Sequence, residues 1–278
     1  MRIGSLVGLF SGRPQNPVGD DGRMAISDHF REFRARLMRS LLALVIAFAV
    51  AIAFRYTLLD AVYDPFTAAQ AALPDGATVA TTSGPAAGLL LWLTLCGFAS
   101  VVITAPYWLY QVWAFLLPGL YAQERKMSRV FVGIAGPLFI AGVVLGYVTL
   151  PKALEVLIGF NPDGVTNLTD FNGYLQFFTR TLFVFGLSFN IPVFVVLLNF
   201  AGVVKGKTLA AYRPWIIIGT FVFAAVATPS ADPFSMTLMA GPMVLLFGVS
   251  EVIARFNDRR RARNAPNAGL GPDQLSTL

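Results

Sequence analysis

The chain has 278 residues, of which 56% are hydrophobic and only 13% charged, and Phe occurs 24 times. A soluble domain carries about 25% charged residues. With a mean hydropathy of +0.65, this composition excludes disorder, fibrous architecture and an ordinary soluble globule, and points to an all-α polytopic membrane protein. A single Cys and a single His leave no internal disulfide and no multi-His or thiolate metal motif, so no metal and no cofactor is expected.

Residues 1–25 are rich in Gly, Pro, Arg and Asp and read as a disordered tail. The membrane domain then occupies 26–255. From Ser27 to Arg39, the residues Phe30, Phe33 and Leu37 fall on one helical face. Such a helix is expected to lie on the membrane surface before the first span, either as an interfacial anchor or as a docking site. A span needs about 20 mainly apolar residues. Charge-free windows place spans at about 37–59, 88–110, 130–150, 174–201, 214–229 and 234–251. The last two are short against a ~30 Å hydrocarbon core. Either the bilayer thins there, or water reaches in, or the pair is a hairpin that does not fully cross. The connections at about 60–87 and 151–173 read as loops, the second with the turn signal Asn161-Pro162-Asp163-Gly164. Residues 256–278 read as a basic, disordered tail.

Of the 21 Lys and Arg, seven run up to Arg39 at the head of span 1, three follow span 2, three follow span 4 and five run from Arg255 into the tail. All eighteen fall on one side, which places both termini in the cytoplasm. The net charge of +6 is thereby explained by topology and attraction to anionic lipid, without nucleic-acid binding. The run Ala201-Gly202-Val203-Val204-Lys205-Gly206-Lys207-Thr208 nearly spells a phosphate-binding loop. It sits between two spans without a preceding strand, and reads as a basic turn.

Inside the membrane, Arg180 and Asn190 stand out in span 4. Arg180 either snorkels outward or acts in function. Asn190, two residues before Pro192, either satisfies the backbone freed by the proline or bonds a neighbouring helix. No nucleophile with its base and no paired carboxylates are set up for catalysis, so an enzyme is not expected. On the cytoplasmic side Glu32 and Glu124 are among few carboxylates, and together can grip a guanidinium in fork geometry.

The stretch Ala105-Pro106-Tyr107-Trp108-Leu109-Tyr110-Gln111-Val112-Trp113-Ala114-Phe115, continuing through Leu116–Lys126, strongly resembles the TatC family. These are the multi-spanning subunits of the twin-arginine protein translocase. His29–Leu37 resembles the family's H-x-x-E-L-R-x-R-L opening, Phe185–Pro192 its F-G-x-x-F-E-x-P, and Thr228–Pro242 its turn between spans 5 and 6. The resemblance implies a concave, glove-like bundle of six helices with short helices 5 and 6, in the bacterial plasma (inner) membrane. It implies recognition of twin-arginine signal peptides on folded precursors and their export by the proton-motive force. TatA and TatB single-span subunits, the lipid bilayer and self-association in a receptor complex follow as partners. By position Glu32 and Glu124 would form the twin-arginine site, with Arg34, Arg36 and Arg125 shaping it. Phe115, Pro118, Gly119 and Tyr121 would build the recognition loop, and Thr228 and Asp232 would contact partners. The chain departs from the family pattern at Asn190, where Glu is common, at Arg180, at Met236, and at Gly248, from which Glu251 is one helical turn on. The competing function class is a secondary transporter or channel for a small solute, supported by Arg180 and Asn190 in one span. The lack of internal repeats weighs against it.

Overall fold

The computed structural model describes residues 26–74, 77–116, 125–162, 165–200, 202–228 and 233–263. In chain order these form α1 (Ile26–Ala53), α2 (Arg55–Ala71), β1 (Thr78–Thr81), α3 (Ala87–Ile103), α4 (Ala105–Leu116), α5 (Arg125–Ile158), β2 (Asn167–Asp170), α6 (Phe171–Phe200), α7 (Gly206–Ala211), α8 (Arg213–Ala227) and α9 (Pro233–Arg263). The helical membrane fold expected from composition is what the chain adopts. Among the described residues, four helices are long and apolar enough to cross a bilayer: His29–Ala53, Gly133–Ile158, Phe171–Phe200 and Pro233–Arg261. The bent pair α3–α4 is long and apolar enough only when taken together, as a broken span or a re-entrant loop. The apolar α8 has 15 residues, so it is only about 22 Å long.

The separate surface helix expected over 27–39 does not form. No Gly or Pro occurs between Ile26 and Ala53, so nothing interrupts the i→i−4 ladder, and the amphipathic segment is the first half of α1. The expected span 37–59 instead breaks at Phe54 (φ −101°, ψ 16°). Arg55 follows, its guanidinium over the Tyr56 ring at 4.6 Å and the Trp92 ring at 5.9 Å.

The expected span 88–110 is likewise not straight. It bends by 61° between α3 and α4. Pro106 has no N–H to continue the α3 ladder and sits where proline is tolerated, in the first turn of a new helix. The bend is braced from both sides. Thr104 Oγ1 donates to the Ser100 carbonyl at 2.7 Å, and Trp108 Nε1 donates to the Val101 carbonyl at 2.9 Å.

The bundle centres on α5 and α6. Gly142 and Gly146 of α5 lie one turn apart against Phe185 and Gly186 of α6. Small residues at this spacing let two membrane helices approach backbone to backbone, where dispersion and not water exclusion holds them. Phe139 and Phe185 are fully buried around this crossing, and Met239 and Met243 of α9 close it from the other side.

The two outer connections hold structure that the sequence reading left as loop. α2 fills the first part of the first, up to Ala71. β1 and β2 pair in parallel, with Thr78 opposite Asn167 and Thr81 opposite Asp170. The Thr78 and Thr169 hydroxyls meet at 3.0 Å. Asp170 closes the arrangement, accepting from Ser83 Oγ at 3.1 Å and from the Gly173 N–H at 3.0 Å at the start of α6.

At the other end, α9 does not stop near Ser250. It continues to Arg263, so residues 256–263, expected to be disordered, are helical. No Gly or Pro occurs between Glu251 and Arg263, and cations in a last helical turn favour the macrodipole. The apolar part of α9 is nevertheless short, ending at Ser250, before the charges begin with Glu251.

Candidate recognition site at the head of the first helix

Glu32 and Arg36 lie one turn apart on α1. Arg36 Nε and Nη2 both donate to Glu32 Oε1, at 2.9 and 2.5 Å. Arg36 Nη1 reaches across to Gln111 Oε1 of α4 at 3.3 Å. Gln111 is buried, so its carbonyl is a fixed acceptor that holds the guanidinium in plane. Among the described residues nothing donates to Glu32 Oε2. The side chains of the Glu32–Arg36 pair are only 15% and 20% exposed. Charge–charge attraction is therefore stronger here than on an open surface.

The aromatic part of the site comes from the same two helices. The Phe115 ring stacks on His29 at 4.5 Å and meets Phe33 at 5.2 Å. Phe115 is thus packed under the first two turns of α1, one turn beyond Gln111 on α4. Arg34 points away and is exposed. Of the other residues expected here, Pro118, Gly119, Tyr121, Glu124 and the side chain of Arg125 lie outside the described residues.

Gln111 is a site residue that sequence reasoning missed. The available signal was its being the one amide in the otherwise apolar and aromatic α4. Also missed was a polar lock between the far ends of α6 and α9. Asp258 accepts from Asn199 Nδ2 at 2.9 Å and from the Gly206 N–H at 2.7 Å. Asn257 donates to Asn199 Oδ1 at 3.0 Å. Beside it Glu251 is forked by Arg213, with Nε at 2.5 Å and Nη2 at 2.6 Å, and also takes Arg255 at 2.7 Å.

The intramembrane residues do not form a joint site. Arg180 is exposed on α6. Asn190 is buried and donates to the Gly186 carbonyl, four residues back, at 3.0 Å. That carbonyl is not the one Pro192 frees, which belongs to Ser188. The proline's own carbonyl is taken instead by Ser250 Oγ of α9 at 2.9 Å. Thr228 is buried with its hydroxyl on the Ala224 carbonyl at 2.8 Å, closing the C-terminus of α8. Asp232 lies outside the described residues.

A multi-pass helical membrane protein with a carboxylate–arginine–amide cluster between its first helix and a sharply bent α4 is the class these features define. The family model for the Sec-independent protein translocase protein (TatC) matches residues 28–242. The chain belongs to the TatC family. It is 40% identical over 269 residues to the Sec-independent protein translocase protein TatC of Frankia casuarinae, covering 93% of this chain and 74% of that one. Against the TatC of Azotobacter chroococcum it is 37% identical over 255 residues, covering 91% and 97%. Against that of Escherichia coli it is 34% identical over 229 residues, covering 82% and 87%. Its fold matches a crystal structure of the twin-arginine translocase receptor TatC in DDM with a TM-score of 0.66 at 28% identity, covering 81% of this chain and 99% of that one. Family and helices together make it a multi-pass protein of the bacterial plasma (inner) membrane.

Proposed function

We propose that this chain is the signal-recognition and core subunit of a twin-arginine translocase, which receives folded precursors and supports their export by the proton-motive force. The observation that carries the recognition role is the Glu32–Arg36–Gln111 cluster, in which one oxygen of Glu32 is engaged and the other faces no donor among the described residues. An incoming signal arginine meets a carboxylate already oriented by a buried neighbour. Its planar guanidinium presents several donors in a fixed fork, so that one can take Glu32 Oε2 while another reaches a second carboxylate. Glu124 is assigned as the second carboxylate, with Arg34, Arg36 and Arg125 setting the local field and Phe115, Pro118, Gly119 and Tyr121 shaping the loop. Single-span TatA and TatB subunits and further copies of the chain are the proposed partners, Thr228 and Asp232 being assigned to partner contact. The role is that of a receptor and scaffold and not of an enzyme. The short α8 suits a locally thinned bilayer beside the apolar path of the signal. A solute pathway through α6 finds no support, since Arg180 is exposed and the bond that Asn190 makes stays within its own helix.

The test is photo-crosslinking from positions 30 and 122 in native membranes, beside the two carboxylates and leaving both in place. One precursor carries a twin-arginine signal, and its companion has both arginines changed to lysine. Crosslinks to the arginine form alone are expected. Equal crosslinking to both forms, or to neither with the protein inserted, would overturn the assignment.

A further inference from the structure

The near phosphate-loop motif that reads as a basic turn lines a real cavity. Its volume is about 600 Å³, and it lies between the segment Gly202–Lys207 with α7 and the last turns of α9. Lys205, Lys207, Arg255, Arg259 and Arg261 line it, with Asp258 as the single carboxylate. That carboxylate is held by Asn199 Nδ2 and the Gly206 N–H, keeps its charge, and offsets one of the cations. Arg255 is paired with Glu251. Among the described residues no carboxylate pairs with Lys205, Lys207, Arg259 or Arg261. The walls are fixed. A methyl group on Gly206 would sit 2.7 Å from the Arg255 backbone nitrogen, so the start of α7 abuts α9 directly, and Arg261 lies over Gly202, which takes a positive φ of 77°. An excess of cations on a rigid, Asp-braced frame is a site for a polyanion.

The chemistry next to the cavity selects which polyanion. Val249, Val252 and Phe256 recur at helical spacing on α9 and are 54%, 67% and 69% exposed. Arg259 is the next residue on that same stripe. Val203, at the rim, is 71% exposed. An exposed apolar stripe therefore runs straight into the cation cluster, at the end of the bundle that the positive-inside rule assigns to the cytoplasm. A soluble phosphate would use the cations and leave the stripe idle. An anionic phospholipid uses both, with its phosphodiester in the basic cavity and its acyl chains along Val249–Phe256. We infer that the cavity between the α6–α7 turn and the basic end of α9 is a headgroup site for an anionic phospholipid of the cytoplasmic leaflet. The inference is independent of signal recognition, whose proposed residues lie on α1 and α4 and in the connection after α4.

The test uses the purified full-length chain in mild detergent. Bound lipid is counted by native mass spectrometry on titration with phosphatidylglycerol or phosphatidylcholine. Two cavity variants, Lys205→Gln/Lys207→Gln and Arg259→Gln/Arg261→Gln, are set beside Arg260→Gln/Arg263→Gln, which removes two cations from the same helix end outside the cavity lining. Phosphatidylglycerol is expected to bind in preference to phosphatidylcholine. Its affinity is expected to fall about tenfold or more in each cavity variant and little in the control. Using two cavity pairs guards against one of them misfolding, and gel filtration checks each. An equal fall in the control would mean diffuse charge attraction and overturn the site. Full displacement of the lipid by millimolar inorganic phosphate or ATP would reassign it to a soluble anion. Binding of a soluble acidic peptide that the cavity variants abolish, with phosphatidylglycerol binding unchanged, would make it a protein-docking face and overturn the lipid assignment.

Discussion

Gly142 of α5 and Gly186 of α6 touch backbone to backbone. A methyl group on Gly142 would lie 2.9 Å from the Gly186 Cα and 2.5 Å from the Phe185 carbonyl oxygen. No rotation of a side chain relieves such a clash, since both obstructing atoms are main chain. Gly142→Ala is therefore expected to push α5 and α6 apart and lower stability by about 1–3 kcal/mol. Gly133→Ala, on the same helix with open space around it, is expected to be neutral or slightly stabilising. Unfolding midpoints of the two variants in detergent check the contrast, and equal midpoints would show that the helices are free to shift.

The indole of Trp108 holds the bend between α3 and α4 through its bond to the Val101 carbonyl. Trp108→Phe keeps most of the ring and its edge contact with Phe139 but removes the donor. The expected loss is about 1 kcal/mol. Cysteine pairs placed on α3 and α4 would read the bend directly, as a broadened distance distribution by spin-label spectroscopy. A distribution as narrow as wild type would mean that Pro106 alone sets the angle.

Glu251 is buried and takes three donors from two arginines, Arg213 and Arg255. Glu251→Gln leaves the shape but removes the charge. Because Arg213 and Arg255 are themselves partly exposed and can hydrate, the expected cost is moderate, about 1–2 kcal/mol. The exchange Arg213→Glu/Glu251→Arg is expected to recover part of it. An exchange variant no better than the worse single one would show that position, and not pairing, matters.

For Asn190 the geometry favours a packing role. Among the described residues its one bond stays within α6, and its buried carbonyl oxygen has no partner. Replacing such a group by an apolar one of similar volume is nearly neutral. Asn190→Leu is expected to leave both the unfolding midpoint and the export of a twin-arginine reporter unchanged. A clear loss of export would show that the oxygen receives a donor at some stage of transport.

What the sequence made legible was whatever depends on local composition. Charge-free windows pointed to the apolar segments that the long helices carry. Glu32 and Arg36 were singled out before their bond was seen. What it did not show depends on partners distant in the chain. Nothing within residues 78–81 announces a strand, because those four residues gain their pairing from 167–170. The bend at Thr104 rests on an indole seven residues from the carbonyl it caps. Gln111 takes its place in the site only through Arg36 of α1, 75 residues away in the chain. The continuous α1 was missed for another reason: a change of surface character from amphipathic to apolar was read as a change of structure, although no helix breaker marks one.

The 61° turn at Thr104 has a geometrical consequence. α4 has 12 residues and is about 18 Å long, so tilting it this far from the axis of α3 carries its end about 16 Å sideways but only about 9 Å onward. A straight helix of the same sequence would send Gln111 and Phe115 past the head of α1 and out of its reach. The bent one works as a bracket, turning length into lateral reach and holding a shelf beneath the first two turns of α1.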